Sequence, residues 1–314
     1  MPRYKIIANP SAGRGLVASI LPQIEQTLRQ LQLDFDLERT TGPWHAADMA
    51  HQAVIDGYDV VASVGGDGTF NEVLNGLMVA KNSGLGQACL GILPVGRGND
   101  FAFSMGVPVD WKAACETLAA GQRRWIDVGR VCGGLYPEGR FFGNGIGIGF
   151  DAVVGFEAAK HKYISGFPSY LVAAFKTMSL YFNAPLIELD CDGEKSTQAC
   201  LMVSIMNGRR MGGGFFMAPR GIADDGLFDL CIVRQVSRLK VLRLIPHFFD
   251  GSQFADPAVS AKRAGRVRAT ALRGVLPAHA DGETLCTHGQ QLDIEILPRQ
   301  IEMIYQPALI VSPA

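Results

Sequence analysis

Ser63-Val64-Gly65-Gly66-Asp67-Gly68-Thr69-Phe70-Asn71-Glu72-Val73 follows the apolar run Asp59 to Val64 and leads into an apolar-periodic stretch from Glu72 to Val79. A β-branched run that turns through glycines into a 3.6-residue period reads as strand, loop, helix. Gly65, Gly66 and Gly68 let the backbone turn tightly and approach a ligand without Cβ clash, and a helix start offers N–H groups to an anion. This is the pattern of a phosphate cradle. Asp67 inside it would repel a phosphate, so its expected task is to hold Mg²⁺ or a cation-bridged water. The plain alternative is a strand-to-helix turn with Asp67 as N-cap.

Residues 1–128 repeat this grammar. Short apolar runs (KIIAN, FDLER, DVVASV, LGILPV) alternate with amphipathic stretches such as Leu16 to Leu31 and Ala46 to Ile55. Such alternation predicts βα units around a mainly parallel sheet. From Trp125 onward the segments become short, strand-like and glycine-punctuated, which predicts antiparallel β structure over 129–314. Two helices, Asp151 to Leu180 and Ser237 to Phe249, interrupt it. The boundary is placed at Asp127 to Gly129. Gly145 to Gly149 lacks the dinucleotide spacing and alternates as a strand does.

Two further glycine loops follow strands of the same sheet: Asn9-Pro10-Ser11-Ala12-Gly13-Arg14-Gly15 and Leu93-Pro94-Val95-Gly96-Arg97-Gly98-Asn99-Asp100. In an open parallel sheet ligands lie at the carboxyl ends of strands, so one nucleotide can touch all three loops. Each loop alone is also ordinary turn chemistry.

The 314 residues, 48% hydrophobic and 19% charged, exclude a disordered or collagen-like chain, and 29 basic against 30 acidic residues remove the polyelectrolyte case for nucleic-acid binding. The 7 cysteines are scattered without a CxxC pair, and the 6 histidines form no HExxH, so reduced buried thiols are expected and zinc is not. No signal-peptide core or membrane-spanning run is apparent. The expected location is therefore cytoplasmic. Lys262, Arg263, Arg266, Arg268 and Arg273 alternate with small apolar residues as the solvated face of a strand.

The set NPSAGRG, GGDGTFNEV, LPVGRGNDFA and the late Ala280-Asp281-Gly282-Glu283 resembles the diacylglycerol kinase catalytic-domain family, which includes sphingosine kinases and YegS-like bacterial lipid kinases. NGIGIGFDA, MGGGFFMAP and DDGLFDLCIV extend the resemblance over nearly the whole chain. It implies a three-layer α/β nucleotide-binding domain over 1–128, then a mostly antiparallel β-sandwich-like lipid-binding domain over 129–314, with ATP in the cleft between them. Carried onto matching positions, it implies nucleotide contacts at Asn9, Thr40, Gly65, Gly66, Asp67, Gly68, Thr69, Phe70, Asn71, Gly96, Arg97 and Asn99, with Glu283 in the same network. The family usually has Thr or Ser where Arg97 stands; a long cation there can pair with a phosphate or partly block the pocket. Asp281 becomes the general base. Asp225, with the carbonyls of Ile222 and Leu227, resembles that family's structural cation site, suited to Mg²⁺ or Ca²⁺.

Phosphorylating an alcohol needs a carboxylate to accept the hydroxyl proton, which supports Asp281; by itself an Asp-Gly pair is a hairpin turn. Asp225 by itself reads equally as a plain turn. The resulting reading is an ATP-dependent lipid kinase acting on a diacylglycerol-, phosphatidylglycerol- or sphingoid-like hydroxyl at a membrane surface. An NAD kinase sharing the GGDGT loop and a non-catalytic nucleotide- or lipid-binding regulator are the rivals. His161 to Phe182, with Phe167, Tyr170, Leu171, Phe175, Met178 and Tyr181 at helical spacing, is either an interfacial helix or a core helix. The oligomeric state is not legible.

Overall fold

The computed structural model describes residues 1–160 and 184–310. The expected helix beyond residue 160 and the candidate membrane segment His161 to Phe182 lie outside the described residues. Two compact units are formed, one by residues 1–128 and 298–314, the other by 129–297.

In the first unit, β1 (Arg3–Ala8), α1 (Leu16–Gln30), β2 (Asp34–Arg39), α2 (His45–Ile55), β3 (Val60–Gly65), α3 (Asp67–Asn82) and β4 (Cys89–Pro94) alternate as the sequence predicts. They are followed by α4 (Asp100–Ser104) and α5 (Trp111–Ala120). The pairs among β1 to β4 are all parallel, in the order β4-β3-β1-β2. β3 and β4 are buried at every position, as continuous apolar strands between two helical layers must be, whereas β2 is an edge strand with exposed charges. α1 buries Val17, Leu21, Ile24 and Leu28, one face at three- and four-residue spacing, and packs with α5; α2 packs with α3.

Helix α3 begins at Asp67, five residues ahead of the expected Glu72. Gly66 is extended (φ −98°, ψ −169°), and the Phe70 amide already donates to the Gly66 carbonyl at 3.1 Å. Asp67, Gly68 and Thr69 are therefore the first helical turn, and the open loop shrinks to Gly65 and Gly66.

The chain does not stay in the second unit to its end, which corrects the 129–314 boundary. β15 (Gln291–Ile304) pairs Met303 with Leu90 of β4 in parallel. Lys81 reaches the Gln300 carbonyl, Arg123 meets Glu302 at 3.2 Å, and the Arg299 amide donates to the buried Asp127 at 2.7 Å. These contacts tie residues from 298 onward to the first unit.

The second unit is antiparallel throughout its described pairs. β5 (Arg123–Gly133) enters it and pairs with β6 (Tyr136–Phe142). β7 (Gly145–Gly149) then leads into α6 (Phe150–Lys160). β8 (Leu186–Cys191) and β9 (Glu194–Met206) form a hairpin. The long β9 belongs to two sheets: its start pairs with β8, and its end lies between β7 and β10 (Phe228–Arg234). After α7 (Arg238–Asp250) come β11 (Val259–Ala264), β12 (Arg266–Arg273), β13 (Leu276–Ala280) and β14 (Glu283–Gly289). One core joins Ile146, Leu189, Val203, Phe228, Val267 and Leu292 from both sheets, which makes the unit sandwich-like. Ser237 caps α7 by accepting the Lys240 amide, and the helix buries Val241, Leu244 and Phe248 on the outer side of β9 and β10. The basic face around β11 and β12 is laced with acids: Lys262 meets Glu194 and Arg268 meets Asp293. The cysteines are all free.

Candidate active site

Three loops converge at the carboxyl ends of β1, β3 and β4 in the first unit. The Asn9 amide donates to the Val64 carbonyl at 3.0 Å, its Nδ2 donates to Thr69 Oγ1 at 3.0 Å, and the Val95 amide donates to the Gly65 carbonyl at 2.7 Å. Gly66 and Gly96 pack back to back. A Cβ on Gly96 would stand 2.5 Å from the Gly66 Cα, and one on Gly66 would stand 3.1 Å from the Gly96 Cα, so the two loops approach at a distance only glycines allow. Asn99 adopts a left-handed conformation (φ +50°), where its Oδ1 accepts the Gly96 amide at 2.9 Å and closes the GRGN turn. The N-cap of α3 is Gly66, which has no side chain to cap the helix. The arrangement suits an anion held by backbone amides.

Asp67 has a structural task beyond the expected one: Oδ1 accepts the Phe101 amide at 3.1 Å and so fastens the start of α4 to the start of α3. Phe70 stacks on Phe101 with ring centroids 3.7 Å apart, and both rings are buried. Asn71 is fully buried and receives Asn75 Nδ2. Phe70 and Asn71 thus hold the loop from within, where the resemblance placed them as ligand contacts. Thr40 lies just past β2 with its amide bonded to the Ala8 carbonyl at 2.8 Å. Arg97 is exposed.

In the second unit, Asp281 and Gly282 (φ +48° and +87°) are the two-residue turn between β13 and β14, closed by the Ala280–Glu283 pair. The hairpin reading is therefore right for the backbone, yet the side chain turns inward. Asp281 is 6% exposed; its Oδ2 accepts the Gly143 amide at 2.8 Å, and its Oδ1 accepts the amides of Asn144 and Gly145, each at 3.0 Å. Three consecutive N–H groups fix the carboxylate plane. Asn207, not singled out in the sequence, supports them. Asn207 Nδ2 donates to the Gly143 carbonyl at 2.8 Å, and the Asn207 amide donates to the Asn144 carbonyl at 2.9 Å. The only sequence signal for Asn207 was that it precedes a glycine. Glu283 is exposed.

Next to this cradle, His279, Gly147 and Ser204 lie in one cross-strand row over β13, β7 and β9. Gly147 leaves room for Asp151 from α6: a Cβ there would stand 2.2 Å from Asp151 Oδ2 and 2.5 Å from His279 Nε2. Burial pushes the Asp151 carboxyl up to about 7, against the pull of the Ala152 amide and Ser204. Burial also lowers His279 to about 4, which keeps the imidazole neutral at physiological pH.

Both carboxylate oxygens of Asp225, the expected cation ligand, already have partners. Its Oδ1 accepts the Leu227 amide at 3.1 Å and its Oδ2 pairs with the Arg263 guanidinium, whose Nε lies 3.3 Å from Asp229 Oδ1. Among the described residues no three His, Cys, Asp or Glu side chains converge as a metal centre.

Residues 3–131 match the diacylglycerol kinase catalytic domain, and residues 144–305 match the YegS C-terminal NAD kinase beta sandwich-like domain. A diacylglycerol kinase of Bacillus subtilis (strain 168) is 30% identical over 271 residues, covering 85% of this chain and 86% of that protein. The chain belongs to the diacylglycerol kinase catalytic-domain family. Membership makes it a phosphotransferase with an alcohol acceptor and a kinase of lipid metabolism. A Mycobacterium tuberculosis (strain ATCC 25618 / H37Rv) diacylglycerol kinase is 31% identical over 283 residues, covering 89% of this chain and 88% of that protein. The fold matches a crystal structure of a diacylglycerol kinase from Bacillus anthracis str. Sterne (TM-score 0.73, 21% identity, 98% of both chains). It also matches an NAD kinase from Archaeoglobus fulgidus in complex with ATP (TM-score 0.51, 12% identity, 98% of this chain and 95% of that one). No helix among the described residues is long and apolar enough to cross a membrane.

Proposed function

We propose that this kinase transfers the γ-phosphoryl group of ATP to a hydroxyl at the head of a lipid of the diacylglycerol, phosphatidylglycerol or sphingoid type. The observation that carries this reading is the buried Asp281 carboxylate held by three successive backbone amides, an arrangement far more demanding than a hairpin turn requires.

Asp281 takes the hydroxyl proton as the new O–P bond forms, while the bond from the γ-phosphorus to the β,γ-bridging oxygen breaks and ADP leaves. The proton then passes from the carboxyl to solvent, and charge balances. The amides of Gly143, Asn144 and Gly145 keep the carboxylate from rotating, so its orientation is set before the substrate arrives. The Gly65–Gly66 turn, the GRGN turn and the Asn9 loop bind phosphates through backbone N–H groups. Asp67 is the residue that would hold the water shell of a Mg²⁺ ion accompanying the triphosphate, and such an ion would supply charge neutralisation at the phosphate oxygens. Thr40 and the exposed Arg97 flank the nucleotide. The lipid is drawn from a membrane surface that the enzyme meets reversibly.

Incubation of the full chain with labelled ATP, Mg²⁺ and a panel of dispersed lipids tests this directly. Label is expected in an organic-soluble phospholipid. Label appearing only in NADP would replace the reading with an NAD kinase, and single-turnover experiments without any transfer would leave a binding protein.

A further inference from the structure

Two acids flank the start of β10, Asp225 in the turn before it and Asp229 in the strand itself. Burial pushes the Asp229 carboxyl up, the Arg263 guanidinium pulls it down, and the nearby Asp225 pushes it up. Arg263 stands directly opposite Asp229 in the β10–β11 register, so the strand pairing delivers its guanidinium to the acids. The fork then divides, Nη2 to Asp225 and Nε to Asp229. A planar, permanently charged fork suits two carboxylates held at an angle better than an ammonium would.

The cation site implied by resemblance uses the same carboxylate. The Leu227 amide already occupies Oδ1 and the guanidinium already pairs with Oδ2, so a divalent ion on Asp225 would share either oxygen with a donor in place. With Arg263 in place, an arriving dication meets like charge on a carboxylate already neutralised. A carboxylate already paired with a guanidinium is a poor anchor for a resident dication.

We propose that Arg263 serves in this chain as the structural cation of the Asp225 turn, so that the second unit keeps its shape without a bound metal ion there. The guanidinium links the turn at 225 to strands β10 and β11, and the protein is independent of Mg²⁺ and Ca²⁺ for folding.

Thermal unfolding of the full chain without nucleotide, in EDTA, in Mg²⁺ and in Ca²⁺, tests this, with elemental analysis of the desalted protein. The wild-type Tm is expected to agree within about 1 °C in all three, with no stoichiometric ion retained. Arg263→Ser is expected to melt lower in EDTA and to regain about 2 to 4 °C in Mg²⁺, because the freed acid pair can now take a dication. Adding Asp225→Asn should abolish that recovery. A wild-type Tm that falls in EDTA, or one ion per chain surviving desalting, overturns the proposal. So does an Arg263→Ser protein indifferent to both reagents. If Arg263→Ser does not fold, the wild-type metal titration and the elemental analysis decide.

Discussion

Asp281 and Gly145 are bonded to each other in both directions: the Asp281 amide donates to the Gly145 carbonyl at 3.0 Å, and the Gly145 amide donates to Asp281 Oδ1 at 3.0 Å. The turn that bears the carboxylate is thereby stitched to the start of β7, and the same contact that orients the side chain anchors its backbone. A carboxylate held this way cannot drift with the hairpin.

Asp281→Asn is expected to lower kcat by about 10²- to 10⁴-fold and to leave nucleotide affinity nearly unchanged, as measured by steady-state kinetics and calorimetry. The amide also turns one acceptor into a donor facing backbone N–H groups. A stability loss of about 1–3 kcal/mol should accompany it in denaturant unfolding. Near-normal turnover in this variant would remove Asp281 from the chemistry.

Gly96→Ala is expected to weaken Mg-ATP binding more than Gly66→Ala. The added methyl on residue 96 meets the Gly66 Cα at 2.5 Å, whereas the reverse contact is 3.1 Å. Forcing the two turns apart by even a few tenths of an ångström should cost the Gly96 variant about tenfold in Kd, or about 1.4 kcal/mol. Equal affinities in titration calorimetry would argue that the loops do not bind the phosphates jointly.

Phe101→Ala should destabilise the first unit by about 3–5 kcal/mol, because the ring is buried and stacked on Phe70. The loss is expected in the denaturation midpoint, with Mg-ATP restoring part of it through binding to the folded state.

The pair Asp151 and His279 sets opposing pH dependences. Asp151 rises from an ordinary 3.8 to about 7, so its favourable contribution is complete below pH 4 and lost as pH rises toward 7. His279 falls from 6.5 to about 4, so its contribution is present above pH 6.5 and lost as pH falls toward 4. Between pH 4 and 6.5 the two slopes cancel, each being about 1.4 kcal/mol per pH unit at most. Wild-type stability should be nearly flat there. Asp151→Asn should expose a stability that rises with pH, and His279→Gln one that falls. Parallel pH profiles for the two variants, measured by urea unfolding, would contradict this assignment.

The alternation of strands and helices in residues 1–128, and the loops after KIIA, DVVASV and LGI, were legible because they rest on local rules. Side-chain period, β-branching and the φ freedom of glycine act over a few residues and leave their mark in the chain itself. The start of α3 was misjudged by five residues because Gly68 and Thr69, weak helix formers, are helical only once Asn9 and Phe101 hold that turn. Asp281-Gly282 was legible as a turn and, by resemblance, as a candidate base. That its carboxylate would face inward depended on amides 136 to 138 positions away, which come into reach only when β13 pairs with β7. Arg263 reaches Asp225 across 38 residues through the β10–β11 register, and a shift of that register by one residue would send the guanidinium to the other face. Local chemistry thus determined which elements form and which loops can cradle an anion; strand pairing over long separations decided which carboxylate is buried and braced and which is already neutralised.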